Sequence, residues 1–342
     1  MNRERMAGRD VVVIGASSGG VEALMDLAAN LPPDLPAAVF VVVHFPEGAP
    51  SVLPRILNRA GPLEAVHPGD GETVEVGRIY VAPPDHHLLL EEERVRVTRG
   101  PKENYHRPAV DPLFRTAALA YGPRVVGVVL TGARDDGTAG LAAVKRRGGV
   151  AVVQDPEDAL FASMPGHARE YVDVDHCVPL GEVAPLLARL CREPTGERGE
   201  HEGVTDDMEF ESKVAGLDPE VIESGEHPGK LVGFTCPDCA GPMYEIQDGN
   251  LVRFRCRVGH AFTAEGVLDG KLEALESALY AALNTLEEGA EMADKLATRS
   301  REYGHTHAAS RFESRAQDSR RQAKIIREVL VGNEPAAQAD AG

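Results

Sequence analysis

The stretch Val11-Val12-Val13-Ile14-Gly15-Ala16-Ser17-Ser18-Gly19-Gly20 runs from an apolar strand directly into a helical pattern. Glycines on both sides permit a tight strand-to-helix turn at Ser17. A serine on such a turn has its hydroxyl in the open, close to the amides of a helix start that can hold a developing oxyanion. The chemistry narrows to a phosphate-cradling turn or a serine hydrolase. A dinucleotide fingerprint needs glycine at its third position and an acid at the end of the second strand. Here the third position is Ser17, and the second apolar run, Ala38-Val39-Phe40-Val41-Val42-Val43, ends in His44. No Gly-Lys-Ser/Thr follows, which excludes a Walker loop. The Gly-x-Ser-x-Gly elbow of the α/β-hydrolases matches the letters but takes its partners in the order Ser, acid, His. In this chain His44 comes next and the acid must follow, a different route to the same geometry.

Apolar runs recur at 11–14, 38–43, 78–82, 125–130 and 150–153, separated by helical patterns at 20–30, 50–60, 111–121 and 138–147. Runs that are apolar throughout suit a parallel sheet covered on both faces. The expected fold is α/β, a doubly wound, three-layer, mostly parallel sheet over residues 1–192. In such sheets ligands gather at the carboxyl ends of the strands. Ser17 follows the first strand and His44 ends the second. Asp136, in Leu130-Thr131-Gly132-Ala133-Arg134-Asp135-Asp136-Gly137, follows the strand at 125–130. A serine needs an imidazole to take its proton, and the imidazole needs a carboxylate to fix its tautomer. One of each, on its own strand end, is a coherent catalytic set.

The remaining 150 or so residues differ in character. The chain has 342 residues and a formal charge of −18, divided as −6 over residues 1–193 and −12 over the rest. An acidic chain without a basic stripe argues against nucleic acid as a partner, and no stretch approaches the length of a membrane span. Five cysteines, with Cys177 and Cys191 isolated, suit a reducing cytoplasm better than a disulfide framework. Residues 193–212 are charged and poor in apolar side chains, which predicts a flexible acidic linker. Residues 213–264 carry Cys236-Pro237-Asp238-Cys239 and Cys256-Arg257-Val258-Gly259-His260. That C-x2-C-x16-C-x3-H spacing predicts one structural zinc ion held by Cys236, Cys239, Cys256 and His260, with no open position for catalysis. A redox Cys-x-x-Cys leaves Cys256 and His260 unexplained.

From 265 to 331 the pattern turns helical. Leu268, Leu272, Leu275, Leu279, Leu283, Leu286, Ala290, Ala293 and Ala297 form one seam. Gly304 breaks it, and Ala308, Phe312, Ala316, Ser319, Ala323, Ile326 and Leu330 form a second. Two such helices predict an antiparallel hairpin, packed on itself or docked to a helical bundle. Residues 332–342 read as a polar, alanine-rich tail.

Residues 10–192 resemble the catalytic domain of the chemotaxis protein-glutamate methylesterases of the CheB type. The resemblance rests on Ile14-Gly15-Ala16-Ser17-Ser18-Gly19-Gly20, Val43-His44-Phe45-Pro46-Glu47-Gly48, Ile79-Tyr80-Val81-Ala82-Pro83-Pro84-Asp85-His86-His87, His106-Arg107-Pro108-Ala109-Val110-Asp111 and the stretch from Leu130 to Gly137. It implies Ser17 as nucleophile, His44 as general base and Asp136 as orienting acid. It also implies hydrolysis of γ-glutamyl methyl esters on a chemoreceptor's cytoplasmic helical bundle, with deamidation of receptor glutamine as a related activity. No cofactor is needed for that catalysis, so residues 1–193 are expected to work without the cysteine module. A chemosensory kinase or a separate response regulator are further expected partners. Two departures stand out: Ala133 replaces a methionine common in the family, and the esterase strand begins near residue 10, without the receiver domain that usually precedes it. Asp135 beside Asp136 leaves two carboxylates for one role, and the place before Gly137 favours Asp136. A catalytically retired receptor-binding scaffold and a generic small-ester hydrolase are the rival readings.

Overall fold

The structure, a computed structural model, describes residues 8–45, 51–195, 203–225, 227 and 229–332. It divides into two compact units, Met1–Val267 and Leu268–Gly342.

The first unit opens with β1 (Val11–Ala16), α1 (Gly20–Asn30), β2 (Ala38–Val43), α2 (Leu53–Ala60), β3 (Glu64–Val66) and β4 (Arg78–Val81). A hairpin of β5 (His87–Glu91) and β6 (Arg94–Thr98) precedes α3 (Val110–Tyr121). Then come β7 (Val125–Val129), α4 (Thr138–Arg146), β8 (Val150–Gln154), α5 (Ser163–Tyr171), β9 (His176–Val178) and α6 (Leu180–Leu190). Seven strands form one sheet in the order β3-β4-β2-β1-β7-β8-β9, parallel throughout. Alternate residues of each strand face opposite layers. Val12, Ile14, Val39 and Val41 pack with Leu24 and Leu27 of α1 and Leu187 of α6. Val11, Val13, Phe40 and Val42 pack with Leu113 and Phe114 of α3 and Leu141 of α4. Burial of both faces is why these strands read as unbroken apolar runs. The chain winds outward from β1 through β2 and β4, then returns to β7 on its other side. This reversal opens a crevice at the carboxyl ends of β1, β2 and β7.

The acidic linker does not hold as drawn. Residues 196–202 lie outside the described residues, but α7 (Asp206–Ala215) covers most of the remainder. Thr205 caps it, accepting from the Met208 amide, and Asp206, Asp207 and Glu209 sit in its first turn, where negative charge is favoured. Met208 joins the core beneath α3, and Glu211 is fully buried. The charge of this segment is partly internal, paired with arginines far along the chain.

After α8 (Pro219–Ser224) the chain forms a four-stranded antiparallel sheet: β10 (Lys230–Thr235), β11 (Pro242–Asp248), β12 (Leu251–Cys256) and β13 (Ala261–Thr263). Its small core is Cys236, Met243, Phe254, Cys256, Phe262 and Val267. This cysteine module belongs to the same compact unit as the parallel sheet rather than standing apart from it.

The second unit is made of α9 (Ala264–Glu302), past its first turn, and α10 (Thr306–Gly332). Three ion pairs join the two helices: Arg301 to Glu313, Arg320 to Asp294, and Arg327 to Glu287. Partners step by seven in opposite directions, which defines an antiparallel hairpin with a heptad register. Between them Ala290, Ala293 and Ala297 are buried, as are Ala309, Ala316 and Ala323. Small side chains let the two backbones approach closely. No helix among the described residues is long and apolar enough to cross a membrane. The tail beyond Gly332 lies outside the described residues.

Candidate active site

Ser17 follows β1, His44 follows β2 and Asp136 lies in the loop after β7, three neighbouring strands of the sheet. Gly19 takes a left-handed conformation, φ 73°, which lets the chain turn into α1. The Ser17 amide donates to Thr131 O at 3.0 Å, and the Thr131 hydroxyl donates to Ser18 O at 3.0 Å. The serine turn is therefore tied to the loop that carries Asp136.

His44 joins the set. Its Nδ1 lies 3.1 Å from Ser17 Oγ and its Nε2 lies 2.8 Å from Asp136 Oδ2. An ionised Asp136 can only accept, so it selects the tautomer with hydrogen on Nε2 and leaves Nδ1 facing the serine as acceptor. Burial alone would raise the Asp136 carboxyl. The His44 hydrogen bond and charge and the Val110 amide outweigh it and hold the group well below the usual carboxylate range. Both amides at the start of α3 donate to it, Val110 at 2.7 Å and Asp111 at 3.2 Å. Asp135 points elsewhere: its Oδ2 accepts from the Thr263 hydroxyl. Of the two adjacent carboxylates, it is Asp136 that meets the imidazole.

Two side chains were not singled out for the site in the sequence. Asn104 Nδ2 donates to Asp136 Oδ1 and to Asp111 Oδ2, each at 2.9 Å, bridging two buried carboxylates. His106 stacks on His44 with ring centroids 3.6 Å apart and 9° between planes. Burial, and then the charge of His44, lower His106 to about 3, so the stacked ring is neutral near pH 7. Asp111 is pushed up to about 8 by burial and by Asp136 beside it. The other histidines of the motif stretches are structural. His87 Nε2 donates to Pro101 O at 2.9 Å from a fully buried position, and His86 Nδ1 lies 2.9 Å from Pro84 O. Arg107 pairs with Asp85. Residues 46–48 of the second motif lie outside the described residues. The buried Met164 of α5 packs behind Gly132: a Cβ there would come within 2.5 Å of Met164 Sδ and 2.9 Å of Ser17 Cβ.

The four residues Cys236, Cys239, Cys256 and His260 also converge, their ligand atoms all within 4.8 Å of one another. The Cys239–Cys256 sulfurs are 3.7 Å apart, and His260 Nδ1 lies 3.6 Å from Cys256 Sγ and 3.8 Å from Cys236 Sγ. Tetrahedral bonds of the usual zinc lengths give edges of about 3.8 Å between sulfurs and about 3.6 Å between sulfur and nitrogen. The donor set thus has the size and chemistry for one such ion.

Residues 12–187 match the family model of the CheB methylesterases. A putative protein-glutamate methylesterase/protein-glutamine glutaminase of Leptospira interrogans serovar copenhageni is 37% identical over 53% of this chain and 94% of its own length. Protein-glutamate methylesterase/protein-glutamine glutaminase 5 of Anaeromyxobacter dehalogenans is 41% identical over 53% of this chain, which spans 51% of that relative's length. The crystal structure of the Thermotoga maritima CheB methylesterase catalytic domain is similar with a TM-score of 0.51 and 34% identity, covering 53% of this chain and 98% of that one. Ser17, His44 and Asp136 lie inside the matched region and the cysteine cluster outside it. The chain belongs to the CheB methylesterase family.

Proposed function

We propose that the chain is a protein-glutamate methylesterase that hydrolyses γ-glutamyl methyl esters on chemoreceptors by an acyl-enzyme route, with deamidation of glutamine as a related activity. The observation that carries this reading is the continuous chain from Ser17 Oγ through His44 to Asp136 on three adjacent strand ends. Ser17 Oγ attacks the ester carbonyl while His44 Nδ1 takes its proton. The Nε2 hydrogen stays on the bond to Asp136, whose charge stabilises the imidazolium. The Ser17 amide donates to Thr131 O and the Gly20 amide to Ser17 O, which leaves the Ser18 and Gly19 amides as candidates for the oxyanion. Collapse of the tetrahedral adduct passes the proton from His44 to departing methanol. Water, activated by the same imidazole, then releases the glutamate carboxyl from Ser17.

A protein substrate suits the rim of this site. Leu160 and Phe161 are 72% and 45% exposed, and a Cβ at Gly19 would come within 3.0 Å of Leu160 Cδ2. An apolar rim beside the nucleophile favours a receptor helix over a free small ester. The cysteine cluster is assigned one structural zinc ion, held by Cys236, Cys239, Cys256 and His260. A bound zinc would cross-link β10–β11 to the β12–β13 turn in a module with a small core of its own. A cytoplasmic location follows from the receptor substrate. The test is methanol release from methylated receptor by the full chain and by Ser17→Ala. Loss of turnover by orders of magnitude in the variant is expected; near-normal release would refute the assignment.

A further inference from the structure

Between the triad and the cysteine cluster runs one short loop, residues 101–106, and both sides hold it. On the triad side Asn104 donates to Asp136 and the His106 ring covers His44. On the module side, the loop meets residues next to the metal-ligand candidates or a few positions beyond them. Ala261, next to His260, accepts from the Asn104 amide at 2.8 Å and donates to Lys102 O at 3.3 Å. Arg255, next to Cys256, donates to Glu103 Oε1 at 2.8 Å. Gly259 lies so close to the loop that a Cβ there would meet Pro101 Cγ at 2.6 Å. Phe262 packs against the Tyr105 ring with centroids 4.8 Å apart, and the Tyr105 hydroxyl donates to Gly266 O at 2.6 Å. A second link bypasses the loop: Thr263 donates to Asp135, the neighbour of Asp136.

The loop is held in a conformation it would not choose alone. Asn104 and Tyr105 have φ 49° and 70°, two consecutive non-glycine residues in the left-handed region. Such residues persist only where their surroundings over-determine them. Here the surroundings are β13 and the start of α9, whose position follows from the turn between Cys256 and His260.

We propose that the cysteine module is a metal-dependent clamp on the esterase site: with zinc bound it fixes loop 101–106, and Asn104 is the positioning residue that passes this order to Asp136 and His44. The inference rests on the reading of Ser17, His44 and Asp136 as the triad, and it replaces the expectation that residues 1–193 work unaided. Loss of zinc frees the turn at 256–260, slackens the grip of Ala261 and Arg255, and lets Asn104 leave Asp136. Substrate binding at the rim formed by Leu160 and Phe161 is untouched. The signature is a fall in kcat with little change in KM.

The experiment uses the full chain, with p-nitrophenyl acetate as substrate and zinc content followed by elemental analysis. Chelation is expected to lower kcat about tenfold, a displacement effect of ordinary size. Added zinc should restore it. In proton NMR, the far-downfield resonance of the His44 Nε2 hydrogen, sharp with zinc, should broaden or vanish without it. Asn104→Ala should lower kcat similarly and become insensitive to chelation, because both act through one contact. Tyr105→Phe combined with Thr263→Val leaves the zinc ligands intact and tests the clamp even if the stripped protein unfolds; a three- to tenfold loss of kcat at full zinc content is expected. Unchanged kcat and resonance in the stripped protein, multiplicative effects of chelation and Asn104→Ala, or full kcat in the double variant would each overturn the clamp. Failure of the triad reading is distinguished by Ser17→Ala, which would then keep turnover, whereas the His44 resonance reports the clamp independently of Ser17.

Discussion

Asp136 and Asp111 each cap the helix that the other introduces. Asp136 accepts from the Val110 and Asp111 amides at the start of α3, while Asp111 accepts from the Gly137 and Gly140 amides at the start of α4. Asn104 joins the two carboxylates from one side. Neither side chain can rotate without stripping two amides of their acceptor in a buried site. The acid that faces His44 is therefore fixed by both helices at once, and helix N-termini favour its negative charge.

Asp136→Asn is expected to lower kcat about 10⁴-fold while the protein stays folded, since an amide can present hydrogen to His44 and stabilise the wrong tautomer. Asp135→Asn faces Thr263 and should cost no more than about tenfold. Steady-state kinetics on a small ester, with circular dichroism as the fold check, measure both. The reverse order would move the acid by one residue.

His106 links stability to acid. Burial, and then the charge of His44, lower its folded pKa to about 3, below the 6.5 usual for the unfolded side chain. Above 6.5 it is neutral in both states and contributes nothing. As pH falls below 6.5 the unfolded chain takes a proton that the folded chain refuses, so stability drops until about pH 3. Buried His87 shifts in the same direction. His106→Gln should flatten the slope of unfolding free energy in that window by up to about 1.4 kcal/mol per pH unit, one proton's worth. An unaltered slope in urea titrations at pH 4–6 would show that His106 is protonated in the fold.

Glu211 is the centre of a buried ion cluster. It receives two bonds from Arg253, at 2.9 and 2.6 Å, and two from Arg255, at 3.2 and 2.9 Å, with Arg115 and Glu103 alongside. Burial opposes its ionisation, but the three guanidinium groups hold it well below the carboxylate range. Glu211→Ala leaves three cations facing Glu103 and should cost about 3–5 kcal/mol, read as a fall in thermal midpoint. A loss under about 1 kcal/mol would mean that the cluster relaxes into water.

The parallel sheet was legible because both its faces are buried and its strands are apolar from end to end. The β5–β6 hairpin was passed over: its second strand alternates Arg94, Val95, Arg96 and Val97, a weaker pattern than the apolar runs around it. The grouping of Cys236, Cys239, Cys256 and His260 was legible from spacing alone. What misled was charge. Glu211 reads locally as one acid in a solvated run, and its partners Arg253 and Arg255 lie 42 and 44 residues on. A pairing across such distance leaves no trace in composition or periodicity. Asn104 was equally silent, since asparagine in a loop is ordinarily a turn residue. It lies two residues before His106, just outside the stretch that carries the family resemblance.

The most direct measurement is mass spectrometry of the full chain quenched during turnover of p-nitrophenyl acetate. A burst of about one p-nitrophenolate per chain should accompany an acetyl group on the peptide bearing Ser17, and the adduct should be absent in Ser17→Ala. An acetyl group on Ser18 or elsewhere, or undiminished turnover in Ser17→Ala, would contradict the account.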